Sequence, residues 1–281
     1  MDLALRAAAE AGGKGIFSLG PLVHNPQALA DLEAGGVRAL KEEAIETLEP
    51  GSTVVLRAHG VPPGIRERIQ ARGARVIDAT CPRVLSSQAK ARSYAERGFT
   101  VIIAGDRGHG EVVGIEGHAR GSPAVLVVGS AAEAARVEVQ GPIGLIAQTT
   151  IGAEEYEAIR DALASRLSVA EVADTICPAT GSRLAAVSRL AEDCGAVIVV
   201  GGRGSANTAR LLAAARSGGA PAWQVETAAE LPPQVFSYSV VGLSAGASTP
   251  ERQVDEVEAA LMAGSGPVGG GPVGGGEGPL R

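Results

Sequence analysis

One repeat, ninety-six residues long, constrains this chain more than anything in its composition: Asp78-Ala-Thr-Cys81-Pro82 returns as Asp174-Thr-Ile-Cys177-Pro178. The apolar run that follows returns in the same register, Ile102-Ile-Ala-Gly105-Asp-Arg107-Gly108-His109 against Ile198-Val-Val-Gly201-Gly-Arg203-Gly204-Ser205. A looser third pair, Leu145-Ile-Ala-Gln-Thr149 and Val241-Gly-Leu-Ser-Ala245, keeps the order and the offset, each ahead of a helical stretch. Chance supplies one such match; three in order point to duplicated structural units. The first eighty residues read as another unit: a helix, a strand ending at His24-Asn25 and a strand ending at His59-Gly60.

Within the repeats, strand-like and helical patterns alternate. Strands are expected at Thr53–Leu56, Arg75–Asp78, Val101–Ala104, Ala124–Val128, Ile143–Ala147, Ala196–Val200 and Ser239–Leu243. Helices are expected at Ile65–Arg72, Val84–Arg97, Glu154–Arg166, Leu184–Asp193 and Pro250–Ala263. Such alternation builds parallel sheets covered by helices. The fold expected is therefore α/β, three similar units over residues 1–81, 82–176 and 177–263, followed by a disordered Gly/Pro-rich tail over 264–281. With 45% hydrophobic residues but only 2% aromatics, the cores must be filled by Val, Ile, Leu and Ala, which suits helices packed on sheets.

Several function classes fall away. The longest apolar runs are strand-length, far short of a membrane span. Met1–Gly12 reads as an amphipathic helix without a basic leader or cleavage site, so a cytoplasmic protein is expected. A net charge of −6 with scattered arginines disfavours nucleic acid as a partner. The three cysteines, Cys81, Cys177 and Cys194, are too widely spaced and odd in number for a disulfide framework.

In parallel α/β sheets, ligands bind beyond the carboxyl ends of the strands, where loops turn into helix N-termini. This chain places His24, His59, His109, Glu111, Thr149, Thr150, Ser205, Asn207 and Ser248 at such positions. Singly, each reads as a hydrogen-bonded loop residue or helix cap, and Ser205, Ser248 and Thr150 suit N-caps. Together, at equivalent places of repeated units, they point to one shared site rich in neutral and charge-assisted donors, which suits a phosphate or diphosphate. No P-loop is present, and Gly201–Asn207 lacks dinucleotide-binding spacing. Cys81 and Cys177 share one Asp-x-x-Cys-Pro setting. Neither lies in a CxxC, so an iron–sulfur cluster with ligands from distant segments suits them better than a zinc ribbon. Cys194 reads as a packing thiol, and His118 lies away from the strand ends.

These segments resemble the LytB/IspH family along almost the whole chain, Met1 to Ala263. Val23-His24-Asn25, Ala58-His59-Gly60, Asp78-Ala-Thr-Cys81-Pro82, Gly108-His109-Gly-Glu111, Gln148-Thr149-Thr150, Ile176-Cys177-Pro-Ala-Thr180, Ser205-Ala-Asn207 and Ser244-Ala-Gly-Ala-Ser248 stand in the family's order. The resemblance implies a trefoil of three α/β units around a central [4Fe–4S] cluster. It implies reduction of 4-hydroxy-3-methylbut-2-enyl diphosphate to isopentenyl and dimethylallyl diphosphates, fed by a ferredoxin or flavodoxin-type electron donor. Carried over by position, Cys81 and Cys177 would bind the cluster. His24, His59, His109, Ser205, Asn207 and Ser248 would bind the diphosphate, and Glu111 would deliver a proton with Thr149 as relay. The family's first cluster cysteine precedes the helix in which Met1–Leu5 already lies, so that ligand is expected upstream of this start. The rival expectation is a cluster-deficient, non-catalytic paralogue that keeps the diphosphate pocket, and a third is an unrelated Rossmann-like nucleotide binder. Ala206 stands where the family has a diphosphate-binding serine, and Gly110 where it usually has proline.

Overall fold

The computed structural model of the protein describes residues 15–20, 22 and 26–264. The expected helix Met1–Gly12, His24 with Asn25, and the tail beyond Gly264 lie outside the described residues. The described chain forms two compact bodies, one through Ala186 and one from Val187.

The first body begins with β1 (Ile16–Leu19), α1 (Pro26–Ala34), β2 (Val37–Leu40), β3 (Thr53–Leu56), α2 (Ile65–Ala71) and β4 (Arg75–Asp78). The four strands form one parallel sheet in the order β2-β1-β3-β4. The first strand thus ends at Leu19, five residues before the expected His24, and Gly20 follows in the left-handed region at φ 69°. Then come α3 (Pro82–Glu96), β5 (Thr100–Ala104), α4 (Gly110–His118), β6 (Val125–Val128), α5 (Ala131–Ala134), β7 (Ile143–Ala147), α6 (Ala153–Ala164) and β8 (Val169–Ala173). Their strands form a second parallel sheet, β6-β5-β7-β8. The helix α7 (Pro178–Asp193) leads into β9 (Ala196–Val200), α8 (Ala206–Ser217), β10 (Ala222–Val225), β11 (Val241–Ala245) and α9 (Glu251–Gly264). These last three strands make a third parallel sheet, β10-β9-β11. The repeat therefore marks real units, each with its own all-parallel sheet.

The second sheet shows why apolar runs rather than alternation mark its centre. Every residue of β5 and β7 is buried, so both faces must be apolar. Ile102, Ala104, Leu145 and Ala147 pack with Tyr156, Ile159 and Leu163 of α6. From the opposite face, Val101, Ile103 and Ile146 pack with Tyr94 of α3 and with Val112 and Ile115 of α4. Gly144 is required in β7 because any Cβ there would overlap the ring of Tyr94, itself only 1% exposed.

Three strands were not foreseen: β2, β8 and β10. Each is an edge strand with a half-polar burial pattern, so its run carries little apolar signal. The last strand also sits two residues later than the expected Ser239–Leu243, and Gly264 closes α9 rather than opening the tail.

All three sheets share one wiring. Chain order reverses between β1 and β3, between β5 and β7, and between β9 and β11. At such a switch point the two following loops diverge to opposite faces and leave a crevice beyond the strand ends, the usual ligand position in open parallel sheets.

Candidate active site

The crevice of the second sheet holds a buried acid. Beyond β5 the chain turns through Gly108, at φ 76°, and enters α4 with His109 as its N-cap. The ring Nδ1 of His109 accepts from the backbone N–H of Glu111 at 3.3 Å. An accepting Nδ1 places the ring proton on Nε2.

Glu111 is only 1% exposed. Its carboxyl accepts from the Thr149 backbone N–H at 2.7 Å and from the Thr149 hydroxyl at 2.8 Å. Thr149 stands just beyond β7, so the pair bridges the two strands at the switch point. Burial raises the proton affinity of Glu111 above the ordinary carboxylate range, against the two Thr149 hydrogen bonds, which pull it down.

Gln148, completely buried, stitches the same two loops together. Its Oε1 accepts from the Asp106 backbone N–H at 2.7 Å, while its Nε2 donates to Asp106 Oδ2 at 3.3 Å and to Thr150 Oγ1 at 2.9 Å. The sequence offered Gln148 only as a neighbour of Thr149. Its work as a clamp depends on Asp106, forty-two positions away.

His59 follows β3 and meets His109 edge to face, with ring centroids 5.1 Å apart. The structure thus brings the histidines of the first two units together. The cysteines are joined to the same region through their backbones: Cys81 N–H donates to Ala58 O at 3.0 Å, and Cys177 N–H donates to Thr149 O at 2.8 Å. The repeated aspartate now has a reason. Asp78 accepts from the N–H of Thr80 at 3.0 Å and Asp174 from that of Ile176 at 3.3 Å, two equivalent Asx turns that present the cysteine at a helix N-terminus followed by proline. Arg83 Nη1 donates to Ile176 O at 3.2 Å and ties one turn to the other. Both thiols are free and partly exposed. In donor type and setting they fit a soft metal or iron–sulfur group. Among the described residues, no group of three or more His, Cys, Asp or Glu side chains is placed to hold a metal ion.

Ser205, buried, caps α8 by accepting from the Thr208 N–H at 3.3 Å, the plain capping role. Asn207 has its Nδ2 buried with no partner among the described residues. Ser248 lies half-buried in the turn beyond β11, beside Thr249, whose hydroxyl donates to Val200 O at 3.0 Å. All three stand at the carboxyl ends of β9 and β11, the switch point of that sheet. Cys194, at the end of α7, packs against Gly242. His118 sits at the far end of α4 from His109, its Nδ1 2.8 Å from Gly114 O.

No helix among the described residues is long and apolar enough to cross a membrane. A family model described as LytB protein matches residues 1–262. The 4-hydroxy-3-methylbut-2-enyl diphosphate reductase of Treponema denticola is 47% identical over 258 residues, covering 89% of this chain and 88% of the relative. That of Solidesulfovibrio magneticus is 40% identical over 273 residues, covering 93% and 94%. A solved structure of the Plasmodium falciparum E-1-hydroxy-2-methyl-but-2-enyl-4-diphosphate reductase superposes with a TM-score of 0.83 at 25% identity, over 93% of this chain and 83% of that one. Another, of (E)-4-hydroxy-3-methyl-but-2-enyl diphosphate reductase, the terminal enzyme of the non-mevalonate pathway, gives 0.68 at 33% identity, over 93% and 92%. Similarity that spans both chains nearly end to end, in sequence and in fold, makes this protein a member of the LytB family.

Proposed function

We propose that the chain is a 4-hydroxy-3-methylbut-2-enyl diphosphate reductase, removing the allylic hydroxyl as water with two electrons and two protons to form isopentenyl and dimethylallyl diphosphates. The observation that carries this reading is the buried Glu111–Thr149 pair at a switch point, with His109 capping the same helix against His59, and with Thr149 bonded to the Cys177 turn. A hydroxyl leaves poorly as hydroxide, so the reaction needs a placed acid, and an acid whose proton affinity is raised by burial holds its proton nearer neutral pH. When Glu111 is protonated, its O–H can donate to Thr149 Oγ1. That frees the threonine hydroxyl to donate outward to the substrate oxygen, which makes Thr149 the relay.

His59 and His109 bind the diphosphate, His109 from its N-cap position on α4. His24 and, by their place in the third sheet, Ser205, Asn207 and Ser248 carry the same assignment; the Nδ2 of Asn207, unpartnered among the described residues, is a donor for such an acceptor. Cys81 and Cys177 would hold a [4Fe–4S] cluster, which when bound supplies electrons and Lewis acidity. A ferredoxin or flavodoxin-type protein is the electron donor in this reading. Three free thiols suit a reducing, cytoplasmic setting.

The test is anaerobic turnover of 4-hydroxy-3-methylbut-2-enyl diphosphate by iron- and sulfide-reconstituted protein with a viologen reductant, products separated by mass. Formation of both isomeric diphosphates is expected. Binding of the substrate without turnover in fully loaded protein would refute the reductase reading and leave a diphosphate-binding paralogue.

A further inference from the structure

Arg83 spans the two cysteine turns, and the assignments above give it no task in the reaction. It is the second residue of α3, behind Pro82, with Cys81 as N-cap. Its guanidinium has one polar partner among the described residues, the carbonyl of Ile176, ninety-three positions away. That carbonyl belongs to the peptide leading into Cys177, whose N–H donates to Thr149 O at 2.8 Å. The Ile176–Cys177 peptide is therefore held at both edges, by Arg83 from the first turn and by the Glu111 partner beyond β7. A peptide is a rigid plane, so fixing its C=O and its N–H fixes the Cα of Cys177. At the other end, Pro82 has a restricted φ and opens α3, which sets the backbone of Arg83.

Two features set this bond apart from an ordinary surface contact. The repeat does not copy it: the residue matching Arg83 in the second turn is Ala179, so one arginine serves both turns. The cation also lies where helix electrostatics oppose it. A positive charge in the first turn of a helix works against the macrodipole, and the carbonyl it meets stands just before the N-terminus of α7. Negative charge between the two helix starts reverses that balance. Two cysteines ligating a metal group supply such charge, since the thiolate and not the thiol is the ligand.

We propose that Arg83 is a positioning residue for the metal centre, its guanidinium holding the Cys177 turn at a set distance from Cys81 before any iron–sulfur group is bound. This rests on the cluster reading above. The side chain is exposed, so the bond contributes little to stability, and its effect is on geometry.

Cross-linking of the whole, metal-free chain in a Cys194→Ser background tests it, because only Cys81 and Cys177 then react. A bis-methanethiosulfonate couples first to one thiol, and the rate of ring closure reports the effective concentration of the other. Arg83→Gln should slow that closure about threefold or more, the scale of one hydrogen bond, with monofunctional labelling rates and the melting temperature unchanged. Arg83→Lys, which keeps a charged donor, should recover part of the loss. Arg97→Gln, at another exposed arginine that bonds Glu171 instead, should leave closure as in the parent. After reconstitution with iron and sulfide, Arg83→Gln should release iron to a chelator faster than the parent. Parent-like closure or parent-like iron release in Arg83→Gln, an equal loss in Arg97→Gln, or no closure in the parent overturns the assignment. Should Arg83→Gln melt well below the parent, Arg83→Lys decides: slower closure at an unchanged melting temperature supports the strap, and parent-like closure overturns it. If closure responds as expected but the parent takes up no iron, the strap between the turns stands and the cluster reading falls.

Discussion

Replacing Glu111 with glutamine separates the acid from its shape. The carboxyl is 1% exposed and takes two hydrogen bonds from Thr149, at 2.7 and 2.8 Å. Charge-assisted bonds of this kind contribute about 1.5–3 kcal/mol each. Proton affinity nevertheless rises, so the burial penalty on the charged form exceeds what the two bonds return. Glutamine keeps Oε1 for the Thr149 N–H and turns an N–H toward the Thr149 hydroxyl, which can accept it, while carrying no charge to desolvate. At acidic pH, where Glu111 is neutral too, the variant should match the parent's stability within about 1 kcal/mol. The sign of the pH dependence follows by linkage. A folded carboxyl with raised proton affinity holds stability that is complete below the unfolded carboxylate range and is lost as pH rises through the folded one. Urea unfolding from pH 4 to 8 should therefore show the variant gaining on the parent as pH rises. Turnover should fall about 10²–10⁴-fold, the usual contribution of a general acid, with pyrophosphate affinity nearly unchanged. Turnover within a fewfold of the parent, or a parent that gains on the variant at higher pH, would refute the assignment of Glu111 as a buried proton donor.

Thr149→Val removes the hydroxyl that Glu111 accepts at 2.8 Å; urea unfolding should show a loss of about 1–3 kcal/mol, and turnover should fall no further when Glu111→Gln is added. Gln148→Leu leaves the Asp106 N–H and the Thr150 hydroxyl without their buried partner, and should cost about 1–3 kcal/mol by the same measurement while raising KM through a looser His109 loop. Gly144→Ala puts a methyl into the Tyr94 ring and should lower stability by about 1–3 kcal/mol in thermal melts, with Tyr94→Ala in the same chain relieving the clash but opening a cavity.

How far the sequence carries depends on whether a signal is local. The central strands β3, β5, β7 and β9 were legible because burial on both faces demands an unbroken apolar run, as in Val101–Ala104 and Ala196–Val200. The edge strands β2, β8 and β10 were not, since one polar side suffices there and four or five residues leave no period to read. In the candidate site, His59, His109, Glu111 and Thr149 were visible by their place after a strand. Gln148 was adjacent to them and passed unnoticed, because what distinguishes it is a partner far along the chain.

By itself, the sequence determined three units of parallel sheet and helix, and equivalent strand ends for the histidines and cysteines, because duplication copies local pattern and local pattern sets strand, turn and cap. Only the tertiary structure decided that sheet order reverses at β3, β5 and β7, the strands that precede His59, His109 and Thr149, and that Glu111 meets Thr149. It also decided that Gln148 clamps the loop of Asp106. Strand order and burial arise from contacts between segments tens of residues apart. A carboxylate or guanidinium takes its chemistry from the dielectric and the partners that those contacts create, and neither is written in the residues next to it.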